Sequence, residues 1–466
     1  MKVLIAGKGI SGKSAYNFLK EKGYEVDYID DEFLSNNSKI VEDYLNDIIN
    51  IKESKISQSL NNSFYIDRLL SGLSFIVVSP GIDLSLKFFN IIRFKKIRII
   101  GELELGFSYL KGDIIGITGT NGKTTTTSLI KYILDGIGQK VFIGGNIGTA
   151  VTSFAKIADD GDISVIECSS YQLESIENFR PHIAVILNIS QDHLLRHKTM
   201  ENYINAKLSI TKNQMENDYL LLNADCEILR NNIPKTRAKI LMFSTKERVF
   251  GCYIKDNCIY FNDNLTEKKL VSLDNIKLLG EHNLSNIVCA VLAVYLQTND
   301  VSLLGRISQF QGIEHRIEFV RSINGVSFYN DSKATNIDST LVAVKSFDSN
   351  INLILGGSEK GYDFDELFMN LPENVKNIAV FGQTKSKIYD CAKRYGYNNI
   401  YKCDSLRECV NICYYLSKKE DVILLSPACA SYDHFKNYEE RGCVFKKIVK
   451  EIDNNEVTLF KCKKET

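Results

Sequence analysis

The stretch that most constrains this chain is Gly116–Thr127, GITGTNGKTTTT. The apolar run over residues 113–117 predicts a buried strand, and Thr124 onward predicts a helix with hydroxyl side chains in its first turn. A glycine-rich turn joins the two. Such a turn at a helix start is a phosphate cradle, because the first N–H groups lack intrahelical partners and the helix dipole favours an anion. Lys123 can then reach the β- and γ-phosphates of a nucleotide, and the Thr124 hydroxyl can hold Mg²⁺. The strict GxxxxGK[ST] pattern asks for glycine at 117, where this chain has Ile117. What remains is the tighter core Gly119, Thr120, Asn121, Gly122, Lys123 and Thr124, followed by Thr125. A glycine turn that binds nothing is the bland alternative; phosphate binding is favoured.

A chain of 466 residues is too long for one core, so two or three domains are expected. Lys+Arg and Asp+Glu both total 57, a balance that argues against a nucleic-acid binder held by bulk charge. Twelve cysteines are scattered with no CxxC pair, which predicts reduced, mostly buried thiols. No apolar run reaches membrane-spanning length, and the chain opens directly on a strand, so no signal peptide is expected. These features suit a cytoplasmic enzyme.

In the first hundred residues, Lys2–Ala6 predicts a buried strand, and Gly7, Gly9 and Gly12 fit GxGxxG before a helical pattern over Ser14–Lys22. A second strand, Glu25–Ile29, ends at Asp30, where a Rossmann unit binds a ribose or base. The motif alone would suggest a nicotinamide dinucleotide, and a glycine-tightened βαβ unit without a ligand stands beside that reading. Phe75–Gly81 is a further strand whose exit, Ser79-Pro80-Gly81, would lie at the carboxyl end of the sheet, where ligands collect.

Glu102–Leu110 reads as the link to the phosphate loop. Beyond the loop, Val141–Ile143 leads to GGNIGTA with Asn146, and Ile163–Cys168 is an apolar strand ending on Glu167. A carboxylate there suits a Mg²⁺ ligand. Ile183–Leu187 runs into NISQDHLLRH, so Asn188, Asp192 and His193 also fall at a strand exit. Tyr203–Ile210 has helical spacing and carries Lys207, which would ordinarily be a surface lysine. Gly280–Asn286 opens an apolar helix with His282 and Asn283 at its start. In the last third, strands over 326–331, 352–357, 378–382 and 421–425 alternate with helices, which predicts a second doubly wound unit. The fold class expected is α/β in three sections: 1–103, 104–311 and 312–466.

At this point the motifs form a recognisable set. GTNGKTTTT, GGNIG, ECSSYQLE, LNISQDH, NAKLSI, EHN, EHRIE, NDSKATN, GGSEKG and SPACASYDHFKNYEERG cover all three sections. In that order they resemble the Mur ligase family, ATP-dependent enzymes of peptidoglycan precursor synthesis. The short first section and the SPACAS…FKNYEERG ending resemble the family's D-glutamate-adding member, and the DNPR-type signature of the diaminopimelate- or lysine-adding relative is missing.

The resemblance implies a Rossmann-like UDP-binding domain, a central P-loop domain with a parallel sheet, and a Rossmann-like carboxyl-terminal domain that closes on ATP. It implies that ATP phosphorylates the alanyl carboxylate of UDP-N-acetylmuramoyl-L-alanine and that the amine of D-glutamate attacks the acyl phosphate. Under it, Gly119–Thr125 and Asn283 bind ATP, with Arg316, Asp331 and Lys333 from the third section. Thr124, Glu167, His193 and a carbamylated Lys207 serve the metal, and Lys123, His193, Lys207 and Lys333 are the catalytic set. Ile10, Ser11, Asp30, Ser79, Gly81 and Asn146 would hold the UDP substrate, and Thr335, Lys360, Ser431 and Tyr438 the D-glutamate. The implied protein is a cytoplasmic monomer with no nucleic-acid partner and no membrane insertion. This chain departs from the family pattern at Tyr438, where Phe is common, at Ser358-Glu359, where an Asp often stands, and at Ser11 and Lys13.

Three alternatives compete. Another Mur-type or folylpolyglutamate-type ligase would share the ATP domain, although the latter normally lacks a glycine-motif domain before the loop. A P-loop GTPase would need an NKxD-type guanine motif, which is missing. A nicotinamide oxidoreductase rests on GxGxxG alone.

Overall fold

The computed structural model describes residues 1–29, 66–274, 276, 280–310, 312–359, 361 and 363–452. Asp30 and Lys360 lie outside these residues. The chain forms two compact units: Met1–Asp274 with Ser285–Ser308, and Asn275–Leu284 with Gln309–Thr466.

The first unit holds two sheets. Strands β1 (Lys2–Ala6), β2 (Glu25–Ile29), β3 (Leu73–Val78) and β4 (Arg98–Gly101) form a parallel sheet in the order β2-β1-β3-β4. Alternate residues of β1 enter opposite cores: Leu4 and Ala6 join Phe88, Phe89 and Ile92, whereas Val3 and Ile5 join Ala15, Phe18 and Leu19. Both faces are covered, which is why β1 reads as an unbroken apolar run.

The second sheet contains β5 (Asp113–Thr118), β6 (Val141–Gly145), β7 (Ile163–Glu167), β8 (Ile183–Ile186), β9 (Tyr219–Asn223), β10 (Lys239–Ser244), β11 (Gly251–Lys255), β12 (Cys258–Asn262) and β13 (Glu267–Ser272). Their order is β13-β12-β11-β10-β9-β8-β5-β7-β6. β5 therefore lies between β8 and β7, with all three parallel. Strand order reverses around β5, which opens a crevice at the carboxyl ends of these strands. The strands expected from sequence form the parallel part; β9–β13 extend it, with β11–β13 as an antiparallel meander.

The expected link over residues 102–110 contains a short helix, Glu102–Phe107, whose two acids are buried. Glu104 accepts three backbone N–H bonds from Glu177, Asn178 and Phe179, and Glu102 accepts from the N–H and hydroxyl of Thr152. Donors of this kind compensate the desolvation of a carboxylate.

In the second unit, β14 (Glu318–Ile323), β15 (Val326–Asn330), β16 (Ile351–Gly356), β17 (Val375–Phe381), β18 (Ile400–Lys402) and β19 (Val422–Leu425) form one sheet. Their order is β14-β15-β19-β16-β17-β18, parallel except for the β14–β15 hairpin. The sheet thus has six strands where the sequence pattern predicts four. β14 carries charge and exposed positions, and β18 spans three residues, so neither stands out as an apolar run.

Candidate active site

The phosphate loop leaves β5 at Thr118 and enters the helix Lys123–Leu134. Gly122 precedes that helix with φ of 84°, and a Cβ there would fall on the side chain of Asn286. Both the left-handed backbone and the close approach require glycine. The neighbouring strand exit clamps the loop: Thr120 N–H donates to Asn188 O at 2.9 Å, and Asn121 N–H donates to Asn188 Oδ1 at 2.8 Å. Asn188 Nδ2 returns a bond to Asn121 O at 3.1 Å. The loop backbone is therefore tied to the exit of β8.

Lys207 is the largest surprise against its ordinary reading as a surface residue. It lies on the helix Met200–Leu208, which is capped by the Thr199 side chain, and it is only 1 % exposed. Its Nζ donates to Gly119 O at 2.7 Å, and Lys123 Nζ donates to the same oxygen at 2.8 Å. One helical turn earlier, Tyr203 lies on the same face. Its ring centroid is 4.7 Å from Lys207 Nζ, and its hydroxyl is 3.1 Å from Thr120 Oγ1. Burial, and then the charge of Lys123, push the Lys207 amine down to about 7.

Glu167 ends β7 and is 2 % exposed. Its Oε1 accepts from Asn146 Nδ2 at 2.9 Å, whereas the buried Oε2 has no hydrogen-bond partner among the described residues. An orphaned carboxylate oxygen beside a phosphate cradle fits a hard divalent cation. His193 follows β8 in left-handed backbone, φ 55°, and is exposed. Burial shifts its imidazole below the ordinary histidine range; Asp192 opposes that shift, and the charges of Lys207 and Lys123 reinforce it. A neutral ring is the form that coordinates metal. Thr124 and Thr125 occupy the first turn of the loop's helix, with Thr125 buried.

In the first sheet, the turn after β3 meets the glycine loop after β1. Ser79 Oγ donates to Gly7 O at 3.3 Å, and a Cβ at Gly12 would collide with that same carbonyl. Ile10 and Gly81 are exposed beside these loops, and Ser11 is partly exposed. Asn146, expected at this pocket, donates its Nδ2 to Glu167 Oε1.

The second unit collects its own set. Asp331 follows β15, with its Oδ2 accepting from Ser426 Oγ at 2.7 Å and its Oδ1 accepting from Ile317 N–H at 3.2 Å. Burial pushes this carboxyl up to about 7, against the pull of these hydrogen bonds and of Arg316 and Arg441. Arg316 Nε is buried with no hydrogen-bond partner among the described residues, a donor suited to an anionic ligand. Lys333 Nζ lies 5.7 Å from the ring centroid of Tyr438. Ser431 is buried, Thr335 is half-buried before the helix Ile337–Val344, and Asn283 is buried near the start of the helix Glu281–Thr298.

Arg441 was not legible as a site residue. It is 0 % exposed, and its Nε and NH2 donate to Ser332 Oγ and O at 2.9 and 2.8 Å. Its NH1 donates to Cys429 O and Ala430 O at 3.0 and 3.3 Å. One guanidinium thus binds the Ser332-Lys333 turn to the turn before Ser431. The available signal was spacing: Arg441 shares a helical stripe with Phe445 and Ile448, a position that should be apolar. Tyr203 and Asn188 were equally visible as residues, but no local pattern assigned them partners.

Residues 117–294 match the Mur ligase middle domain, and residues 315–429 match the Mur ligase glutamate ligase domain. The UDP-N-acetylmuramoylalanine–D-glutamate ligase of Thermoanaerobacter pseudethanolicus is 40 % identical over 458 residues, covering 97 % of this chain and 98 % of the relative.

This chain belongs to the Mur ligase family.

The ligase of the same description from Clostridioides difficile is 43 % identical over 378 residues, covering 80 % of this Mur ligase and 83 % of that protein. Among solved structures, the UDP-N-acetylmuramate-alanine ligase MurC of Thermotoga maritima shares the fold with a TM-score of 0.58 at 16 % identity, covering 97 % of this chain and 99 % of its own. No helix among the described residues of this Mur ligase is long and apolar enough to cross a membrane.

Proposed function

We propose that this Mur ligase joins D-glutamate to UDP-N-acetylmuramoyl-L-alanine, with ATP converted to ADP and phosphate. The observation that carries the reading is similarity over nearly the whole chain to relatives described by that reaction. In the first step the alanyl carboxylate takes the γ-phosphoryl group and ADP departs. In the second the D-glutamate amine attacks the acyl carbon, phosphate leaves and an amide bond forms. Both steps build charge on oxygens, so positioned cations and N–H donors lower both barriers.

The loop Gly119–Thr125 binds the ATP phosphates, with Lys123 moving from the Gly119 carbonyl to the phosphates. Thr124, Glu167 and His193 would hold Mg²⁺, which when bound would neutralise phosphate charge. Lys207 carries a carbamate. Its amine is about half unprotonated at pH 7, the neutral form is the one that reacts with CO₂, and the product replaces an ammonium beside the metal site with an anion. Asn283, Arg316, Asp331 and Lys333 serve the nucleotide. Ile10, Ser11, Asp30, Ser79, Gly81 and Asn146 serve the UDP substrate, and Thr335, Lys360, Ser431 and Tyr438 bind the carboxylates of D-glutamate. The functional division follows residues 1–103, 104–311 and 312–466.

The test is phosphate release in the presence of ATP, Mg²⁺, UDP-N-acetylmuramoyl-L-alanine and single amino acids. Release is expected only with both the UDP substrate and D-glutamate. Equal turnover with L-glutamate, or ATP hydrolysis indifferent to the UDP substrate, overturns the proposal.

A further inference from the structure

The short helix Leu194–His197, which follows His193, has an unusual anchorage. Leu195 is 94 % exposed, so apolar packing of that side chain does not seat the helix. Two polar side chains do. His197 is buried, with Nε2 at 2.9 Å from Ser170 Oγ and Nδ1 at 3.3 Å from Glu174 Oε1. Arg196 is 14 % exposed and reaches in another direction. Its NH2 donates to Ile82 O at 2.8 Å and to Glu174 Oε2 at 2.9 Å; its NH1 lies 3.7 Å from Asp83 Oδ1, and the guanidinium lies over the Tyr171 ring at 5.4 Å.

Ile82 closes the Ser79 turn, because its N–H donates to Ser79 O at 3.0 Å. That turn touches the first glycine loop through Ser79 Oγ and Gly7 O. At the other end, His193 N-caps the helix that carries Arg196, and its ring lies 5.1 Å from the same Tyr171 ring. A continuous path therefore runs from Gly7 through Ser79, Ile82 and Arg196 to His193. A displacement of the Ser79–Ile82 turn must either break the Arg196 bonds or carry the start of the short helix with it.

We propose that Arg196 is a positioning residue that couples occupancy of the Ser79–Ile82 turn to the placement of His193. The inference rests on the reading of that turn as part of the UDP-substrate site. Its consequence is that the UDP substrate and the metal–nucleotide complex strengthen each other's binding, and reciprocity requires the same factor in both directions. The planar fork is essential, because only guanidinium meets a carbonyl, a carboxylate and a ring face together; a lysine ammonium on the same stem cannot.

The experiment measures binding rather than turnover. Mn²⁺ with a non-hydrolysable ATP analogue is titrated by electron paramagnetic resonance, with and without saturating UDP-N-acetylmuramoyl-L-alanine. For the unmodified protein the Mn²⁺ complex should tighten about tenfold when the UDP substrate is present. Arg196→Met should bring that factor to near one while leaving the Kd of each ligand alone within about threefold. Arg196→Lys, which keeps the charge and is the milder change for folding, should lose the coupling as well. Undiminished coupling in either folded variant overturns the proposal, as does a coupling factor of one in the unmodified protein. Failure of the unmodified protein to bind the UDP substrate at all is a separate outcome, and it strikes the proposed function instead.

Discussion

Lys207 and Arg441 are both fully buried cations, one in each compact unit, and their surroundings differ in one decisive respect. Lys207 donates one observed hydrogen bond, to Gly119 O, and its amine is pushed down to about 7. Arg441 meets four oxygens, from Ser332, Cys429 and Ala430, and is lowered only to about 10, so it stays charged at neutral pH. Among the described residues neither forms an ion pair within 4 Å with a carboxylate. The guanidinium satisfies its desolvation with a fork of donors and fixes two turns. The lysine, buried beside the charge of Lys123, is about half unprotonated at pH 7, which suits a residue that is to be chemically modified. Burial alone therefore does not decide whether a cation is scaffold or reagent; its own basicity, the charges beside it, such as Lys123 beside Lys207, and the acceptors it meets decide together.

The largest effect expected from breaking this contrast is at Lys207. Lys207→Ala should lower kcat/KM by about 10²–10³-fold, the scale of removing one positioned electrostatic group, with the far-UV circular dichroism unchanged. A short carboxylic acid should restore part of the activity, and depleting CO₂ should slow only the protein that retains Lys207. Near-normal turnover of Lys207→Ala with no CO₂ dependence would leave this lysine without a chemical role.

At Arg441 the main consequence is structural. Arg441→Met should cost about 3 kcal/mol in urea unfolding of the full chain, because it strands buried carbonyl oxygens that have lost their donor. Arg441→Lys should recover little of that loss, since one ammonium cannot reproduce the fork. Full recovery by lysine would mean that charge, not geometry, holds the two turns.

Glu167→Gln sharpens the comparison at the metal side. It preserves shape and removes the charge of the orphaned Oε2, so Mn²⁺ affinity in the presence of nucleotide should fall about tenfold, read by paramagnetic resonance. Unchanged affinity would remove Glu167 from the metal site.

The last effect is spread over a pH slope. Asp331 has a folded value of about 7, raised above an unfolded value of about 3.9, so the folded state holds its proton more tightly. Its contribution is fully present below about pH 4 and is lost as pH rises towards 7, at up to about 1.4 kcal/mol per pH unit. Asp331→Asn should flatten that part of the urea stability profile relative to the unmodified protein. Parallel profiles for the two proteins would show that Asp331 is ionised when folded.

Much of the architecture was legible because it depends on neighbours in sequence. β1, β3, β5, β7 and β8 are apolar runs bounded by turns, and the carboxyl exits of β5, β7 and β8 carry polar residues at the crevice. The meander β11–β13 and the edge strands β14 and β18 were less visible, since they alternate, carry charge or are very short. The motif residues were likewise visible, whereas the bonds that arrange them were not.

The sequence by itself determined the phosphate cradle. Its strand, its glycine turn with the αL Gly122, and its Lys123-Thr124 helix start are consecutive residues whose backbone preferences act locally. Tertiary structure alone decided what surrounds it. Lys207 meets Gly119 across 88 residues, Arg441 meets Ser332 across 109, and Arg196 meets Ile82 across 114. Burial, desolvation and hydrogen-bond complement arise only when such distant segments are packed together, and those quantities distinguish a reactive lysine from a structural arginine.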